Sequence, residues 1–249
     1  MTNTSAEATL NFLNKAHDQA VELAESIVFK KESALHRTTI ALYSSIIELS
    51  GTCCLLIDNK QGVALPIVLR AIIEAHVDLV NMLQTQRYGY YLELDYVNQW
   101  LVILQEAKRG KNEYLADISV VPSLDETIKD FTEQKLKLKS DGYEKLKIEN
   151  KFIRADMEKE YRSIYNNLCA HAHNNIRALM DRHFEREQGD LSVVLYKEYN
   201  LEDNQIYIGF ISEILIRATE NIHKKFQTNV VNQVQLLRDE INLLRGDSA

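Results

Sequence analysis

The chain has 249 residues, of which 45% are hydrophobic and 26% are charged, with only two prolines and eight glycines. This composition is typical of a globular protein, and the scarcity of turn-forming residues argues against an all-β fold and favours long helices. The formal net charge of −7 excludes a protein-wide basic surface for nucleic acid, although it still allows a local basic patch.

Hydrophobic spacing predicts four helices in the first 108 residues. The first begins near Thr4, where Thr4–Glu7 has the spacing of a capping box. The second carries apolar residues from Leu35 to Leu56 and ends at the turn-forming run 58–62. The third runs from Val63 to Thr85 and tolerates a proline in its first turn, and the fourth covers Tyr88–Lys108.

The second half of the chain predicts more helix with several breaks. After a loop at 110–122, a lysine-rich segment over 129–159 is interrupted at Asp141-Gly142. We interpret its lysines as a solvated helical face. The alternative is a basic strip that binds phosphates. Helix is expected over 177–187, and residues 191–197 form a short extended segment or the edge of a hairpin.

The last predicted helix runs from Glu202 to Leu244 and ends in an apolar stripe with coiled-coil spacing: Val230, Val234, Leu237, Ile241 and Leu244. Such a stripe docks on its own domain or on a partner subunit. We therefore predict an all-α, up-and-down helical bundle with a long C-terminal helix. It forms a single domain over 1–249, in which 226–245 is a candidate coiled-coil or dimerisation extension.

Cysteine use and hydropathy indicate the compartment. The three cysteines form no CxxC pair and no disulfide framework, which is typical of a reducing cytoplasm, and the polar N-terminus predicts no signal peptide. The most apolar run, 63–83, contains Arg70, Glu74 and Asp78, and each such charge costs about 2.5–3.5 kcal/mol at a bilayer centre. We expect a cytoplasmic protein without a membrane span.

The third helix is apolar nearly all round except for one polar stripe, formed by Arg70, Glu74, Asp78, Asn81 and Thr85. This stripe is either a solvated edge, with Arg70 and Glu74 as an ion pair one turn apart, or a polar face that lines an internal cleft. The apolar character of the rest of the helix favours the second interpretation. A helix so apolar is expected to be central, and a central helix has little solvent-facing surface.

The stretch 161–175 holds the densest set of chemically capable side chains, and it contains no glycine or proline. As a continuous helix it would place Asn167, His171, Asn174 and Asn175 on one face and Arg162, Asn166 and His173 on the opposite one. The two histidines would point roughly 200° apart and could not share one metal ion. His171 is thus either a proton-transfer group or a half-buried structural histidine.

Several other activities have no sequence support. The chain lacks a glycine-rich phosphate loop and an HExxH motif, and Glu220–His223 is the single match to the Glu-x-x-His pattern that a di-iron bundle needs twice. We therefore predict no metal and no cofactor.

Residues Asn166–His171 resemble the HEPN signature, in which an arginine, usually followed by a polar residue, precedes a histidine by four to six intervening residues. The helix around Leu69–Ala75 is also similar to an uncharacterised bacterial helical family grouped near HEPN. The resemblance covers about residues 35–185. It implies an all-helical, dimeric, metal-independent ribonuclease of toxin–antitoxin or anti-phage systems. Asn166 stands where those nucleases carry arginine, and Arg162 lies one turn too early.

The resulting hypothesis is an endoribonuclease with RNA as substrate, a homodimeric assembly and a protein partner such as an antitoxin. His171 would be the general acid/base, and Arg70 or Arg162 would stabilise the charge on phosphorus. The candidate catalytic residues are His171, Arg70, Arg162 and Glu74, and the candidate substrate-binding residues are Asn167, Asn166, Asn174, Asp78, His173 and Tyr165. The alternative is a dimeric helical interaction module without catalysis.

Overall fold

The structure is a computed structural model that describes residues 5–173, 175–187, 189–195, 197 and 200–246. The described chain is all-α apart from one small hairpin, which confirms the predicted fold class. The helices in chain order are α1 (Ala6–Ala24), α2 (Ala34–Asp58), α3 (Leu65–Gln84), α4 (Tyr88–Lys108), α5 (Ala116–Ser119), α6 (Leu124–Ser140), α7 (Ile148–Arg154), α8 (Glu158–Glu160), α9 (Asn166–Ala172), α10 (Ile176–His183), α11 (Leu201–Lys225) and α12 (Val231–Arg245).

Most of the predicted helices of the first half are confirmed, and local capping explains where two of them begin. The side chain of Ser5 accepts a hydrogen bond from the backbone N–H of Ala8, so Ser5 is the cap of α1, while Thr4 lies outside the described residues. Ser33 caps α2 in the same way. The predicted loop 110–122 was wrong in part, because it contains a 3₁₀ turn at 113–115 and the short helix α5.

The chain forms two compact units, one from the described residues of 1–83 and 151–249 and one from residues 84–150. In the first unit, α1 packs on α2 and α11, and α11 also packs on α2 and α12. Side chains such as Leu13, Ile46 and Leu215 are fully buried there. The Tyr43 hydroxyl donates a hydrogen bond to Thr219 Oγ1 at 3.1 Å, which satisfies two polar groups inside this core.

The second unit is built on the pairing of α4 with α6. Its aromatic side chains contact each other: Tyr90 and Tyr91 both lie about 5.0 Å from Tyr143 between ring centroids, and Tyr96 contacts Trp100 and Phe131. These rings therefore pack against one another within this unit. No linker-like composition marks either boundary of the unit, which is why the sequence predicts a single domain.

The predicted continuous C-terminal helix is wrong. The chain breaks after Lys225, where Gln227 adopts a positive φ of 50°, and α12 folds back against α11 and α1. The apolar stripe Val234, Leu237 and Ile241 is buried in these contacts. The seam with coiled-coil spacing therefore docks on its own chain, one of the two alternatives that the sequence left open.

Residues 184–193 form the hairpin. Strand β1 (Phe184–Glu187) pairs antiparallel with β2 (Asp190–Val193), and Gly189 supplies the positive φ of 98° that the tight turn needs. Helix α10 therefore ends at His183, four residues earlier than predicted, while the extended segment was predicted correctly as a hairpin edge.

Among the described residues one helix, α2, has the length and apolar composition of a membrane-crossing helix. In this fold α2 packs on α1 and α11 through buried side chains that include Tyr43, Ile46 and Ile57. A core helix of a globular domain has the same composition, so this property gives only weak support to a membrane span.

Candidate functional site

The polar side chains of α3 pair with groups that the protein supplies. Arg70 Nη2 lies 3.0 Å from Glu74 Oε1, and it also donates a hydrogen bond of 3.3 Å to the Tyr165 hydroxyl. That hydroxyl donates in turn to Glu74 Oε1 at 2.7 Å. The three side chains form a closed triangle between α3 and the segment that precedes α9.

One turn of π-helix at Tyr161–Tyr165 presents Tyr165 to this triangle. The ring of Tyr165 stacks on Tyr161 with a centroid distance of 5.6 Å and lies 4.8 Å from Phe152, while the Arg70 guanidinium sits 5.6 Å from its centroid. π-helical turns are rare and often occur at functional sites, where they shift the faces of the helix that follows.

The electrostatics of the triangle match its geometry. Burial, and next the hydrogen bond to Glu74, raise the pKa of Tyr165, so the phenol stays protonated. Burial alone would lower the pKa of Arg70, but the bond to Tyr165 and the charge of Glu74 outweigh it and raise that pKa. Arg70 is thus held as a cation by neighbours that the protein itself supplies.

The same stripe continues along α3 with a second set of pairs. Lys151 Nζ lies 3.2 Å from Asp78 Oδ1, with the two side chains only 14% and 17% exposed, and Asn81 donates to the backbone carbonyl of Lys151 at 2.9 Å. Lys151 is an exception to the solvated lysine face that the sequence predicts. The stripe is thus solvated only in part: the predicted ion pair of Arg70 and Glu74 is present and partly exposed and Thr85 is exposed, whereas Asp78 and Asn81 face protein groups. We name Arg70, Glu74, Asp78 and Asn81, with Tyr165 and Lys151, the polar ladder.

A separate cleft of about 560 Å³ opens beside His171, near the end of α9. It draws side chains from the turn before α3, from α10 and from the segment between β2 and α11. Pro66 of α3 lines it, but Arg70 and Glu74 do not. The lining residues are Lys60, Gln61, Gly62, Val63, Pro66, His171, Asp181, Arg182, His183, Leu195, Lys197, Asn200, Asp203 and Asn204.

Arg182 is the group most closely tied to His171. Its Nη2 donates to the His171 backbone carbonyl at 2.6 Å, and its Nε is buried with no hydrogen-bond partner in the described part of the chain. Partial burial, and next the charge of Arg182, lower the pKa of His171, whereas Asp181 acts in the opposite direction. His171 is therefore neutral at pH 7 and able to accept a proton.

The other predicted residues do not share this cleft. Arg162 is 69% exposed and pairs with Glu158 one turn away. Asn166, at the start of α9, and His173, just after its end, are both exposed. Asn167 is exposed and hydrogen-bonds Tyr207. The predicted catalytic set thus divides: His171 lines the cleft, Arg70 and Glu74 belong to the polar ladder, and Arg162 lies at the surface.

The predicted single helix over 161–175 is wrong at both ends, which breaks the shared polar face. The π turn rotates its first half, and α9 stops at Ala172. Asn175 begins the next helix instead, because its side chain accepts a hydrogen bond from the backbone N–H of Arg177. Asn174 lies outside the described residues, so its predicted role in substrate binding stays a prediction.

Sequence reasoning missed the cations of the cleft, Lys60, Arg182 and Lys197, and a second imidazole, His183. The one available signal was the Arg182-His183 pair three turns after His171, which the sequence assigned only to a continuing helix. Across the described residues, no group of three or more His, Cys, Asp or Glu side chains could hold a metal ion.

Residues 36–190 match the model of a family of unknown function, DUF5677. Because this match covers more than half of the chain, the protein belongs to that family. The matched segment contains the polar ladder together with His171, Arg182 and His183, but not Lys197. Neither the curated proteins nor the solved structures contain a match to this chain.

Proposed function

We propose that this protein is a metal-independent endoribonuclease, similar to HEPN nucleases, that acts in the cytoplasm in bacterial toxin or anti-phage defence. One observation carries the proposal: the half-buried imidazole of His171 opens onto a cleft beside cations from three other segments, Lys60, Arg182 and Lys197. Cleavage of RNA without a metal needs these two elements, a group that moves a proton and positive charge near phosphorus.

The charge of the cleft supports an anionic substrate. Its lining holds the three cations against two carboxylates, Asp181 and Asp203, in a chain whose net charge is −7. The excess of positive charge is small, but it lies in a concave, partly desolvated region. There the electric field is focused, and each charge produces a stronger potential than it would at an open surface.

The chemistry follows from the state of each group. Neutral His171 takes the proton of a ribose 2′-hydroxyl, and the 2′-oxygen attacks phosphorus. The bond from phosphorus to the 5′-oxygen breaks, and that oxygen takes the proton that His171 accepted from the 2′-hydroxyl. The products are a 2′,3′-cyclic phosphate and a free 5′-hydroxyl. Arg182 stabilises the negative charge that develops on the non-bridging oxygens of the phosphoryl group. The sequence had assigned this role to Arg70 or Arg162.

The test is cleavage of total RNA and of tRNA by the purified protein in EDTA, with the cut ends mapped. His171→Ala should lower the cleavage rate by about 10²–10⁴-fold, the usual contribution of a general acid/base group, with an unchanged helical circular dichroism signal. Arg177→Ala, on the exposed side of α10, is the matched control and should cleave at the wild-type rate. Cleavage that persists in His171→Ala would remove the proposal.

Salt provides a second, independent measurement. If Lys60, Arg182 and Lys197 meet phosphates, the logarithm of RNA affinity should fall linearly with the logarithm of salt concentration, with a slope of about −0.7 per contact for single strands. Lys197→Gln should make this slope less steep by about one contact, whereas Arg177→Ala should leave it unchanged.

A non-catalytic, dimeric binding module is the second candidate. It is favoured by the engagement of both arginines that the HEPN resemblance suggested, because Arg70 is tied to Glu74 and Tyr165 and Arg162 to Glu158. A module of this kind would bind RNA or a partner protein without cutting it. Salt-dependent RNA binding that is lost in Arg182→Gln, without any cleavage product, would favour this candidate over the enzyme.

A further inference from the structure

A second cavity, of about 450 Å³, lies in the same compact unit but uses different residues from those of the His171 cleft. It is bounded by α3, by the segment around α8 and the π turn, by α11 and by the end of α12. Most of its wall is aliphatic or aromatic, and its polar groups are few. The lining residues are Ile73, His76, Met157, Glu160, Ile164, Ile206, Gly209, Phe210, Glu213, Ile214, Arg217 and Arg245. Apolar walls with a few placed polar groups are typical of small-molecule sites.

Gly209 keeps part of this cavity open. It lies inside α11, where glycine is the poorest helix former after proline. A Cβ atom built on Gly209 meets no other atom within 4 Å, so the fold does not require glycine there for close packing. A side chain at this position would instead occupy the cavity. The helix therefore contains a locally unfavourable residue at a position where the absence of a side chain preserves cavity volume.

His76 supplies an unsatisfied polar group. Its side chain is 2% exposed, it lines the cavity, and its Nδ1 has no hydrogen-bond partner among the described residues. Burial, and next the nearby charge of Arg217, lower the pKa of His76 to about 4, so the ring is neutral at pH 7. Buried polar atoms in proteins are nearly always paired, so His76 leaves an unsatisfied polar group in the wall of this cavity.

Arginines gather at the same polar end. Arg217 Nε and Arg245 Nη1 each lie 2.7 Å from Glu213, and Arg238 Nη1 contacts the same carboxylate at 2.9 Å. Three guanidinium groups thus share Glu213. Arg217 Nη1 also lies 3.8 Å from Glu160, which lines the cavity, and Arg245 Nη2 donates to the Gly209 carbonyl at 3.5 Å, so an anion would bind the N–H groups that these contacts leave on the two arginines. Arg217 and Arg245 line the cavity and are 49% and 39% exposed, so an entering anion can reach both.

We infer that this cavity binds a small amphipathic carboxylate, whose apolar body contacts Ile164, Phe210 and Ile214 and whose carboxylate pairs with Arg217 and Arg245. A water molecule occupies about 30 Å³ in the liquid, so the volume suits a ligand with roughly 15 heavy atoms or fewer. The planar guanidinium group of an arginine matches a carboxylate in shape and charge. This inference is independent of the proposed nuclease function, because the two cavities share no lining residue.

Decanoate, below its micelle concentration, is the probe, and isothermal titration calorimetry on the full chain is the measurement. One saturable site per chain is expected, and decanol, which has the same apolar body without the charge, should bind at least 10-fold more weakly. Absence of saturable decanoate binding at millimolar concentration would overturn the inference. Equal binding of decanol would overturn the assignment of a carboxylate.

Variants locate the site. Gly209→Leu should fill the cavity and abolish binding, while Gly209→Ala, which adds one methyl group, should retain it within about threefold. Arg245→Gln, at the exposed end of α12, should weaken decanoate binding about 10-fold. This variant still tests the site if Gly209→Leu does not fold. Arg177→Gln should bind as wild type. Wild-type affinity in a folded Gly209→Leu variant, or in Arg245→Gln, would place decanoate elsewhere and overturn the inference.

Discussion

Tyr165→Phe separates the structural role of the polar ladder from the chemistry of the cleft. The substitution removes one hydroxyl and keeps the ring that packs on Phe152 and Tyr161. The ion pair between Arg70 and Glu74 stays in place, at 3.0 Å. Because the ladder does not line the cleft at His171, the variant should lose stability and keep whatever RNA cleavage the wild type has.

The magnitude follows from two hydrogen bonds. The hydroxyl donates to Glu74 at 2.7 Å and accepts from Arg70 at 3.3 Å. Hydrogen bonds to charged groups contribute about 1.5–3 kcal/mol each, but the longer of these two is weak. Water also replaces part of both in the variant, since Glu74 is 38% and Arg70 25% exposed. We expect a loss of about 1–2 kcal/mol in the free energy of unfolding and a Tm lower by about 2–8 °C.

Urea unfolding followed by circular dichroism, together with calorimetry, measures this loss, and the EDTA cleavage assay measures activity on the same preparations. His171→Ala should give the opposite pattern, with lower activity and nearly unchanged stability. A change below about 0.5 kcal/mol in Tyr165→Phe would refute the ladder as a stabilising contact. A fully folded variant that has lost cleavage would refute the separation and return Arg70 and Glu74 to the catalytic set.

Three further results are expected. Burial lowers the pKa of His76 to about 4 from the ordinary 6.5, so the imidazole binds a proton in the unfolded chain before it does so in the folded protein. The free energy of unfolding, measured by urea denaturation, should therefore fall by about 3 kcal/mol as the pH falls from 6.5 to 4. The variant His76→Asn should not show this pH dependence. Burial raises the pKa of Cys53 to about 12 and of Cys54 to about 11, so a thiol reagent should titrate Cys169 alone in the native protein and all three cysteines in urea. Truncation after Thr228 should expose the apolar faces that α12 covers, and the Tm should fall with aggregation; a truncated chain as stable as the full one would contradict that packing.

The helical elements were predictable because their determinants are local. Apolar residues recur at helical spacing in α2, α3 and α4, and the breaks at Asn59 and after Ser140 coincide with residues that favour turns. Where a break depends on packing, the prediction was wrong. Nothing in the run Lys224–Val230 stops a helix strongly, and the chain turns there because α12 gains more by burying its apolar stripe on α1 and α11 than by continuing.

The candidate site also combines residues that the sequence identified with residues that it did not. The sequence identified His171 because an imidazole among amides is chemically conspicuous, and it identified the stripe on α3 because a helix so apolar elsewhere makes polar residues stand out. It could not predict that Arg70 would be tied to Tyr165, since the two lie 95 positions apart and the contact depends on a π turn. Nor could it predict Arg182 at the His171 cleft.

The sequence by itself thus determined an all-α chain, the bounds of α3 and α4 to within about two residues and the presence of one imidazole suited to proton transfer. Only the tertiary structure decided which charges meet that imidazole, which arginines are already paired, and where cavities remain between helices. The physical reason is the sequence distance over which each interaction acts. Helix periodicity and capping act over a few residues, whereas burial, ion pairing and pKa shifts depend on contacts between residues far apart in the chain.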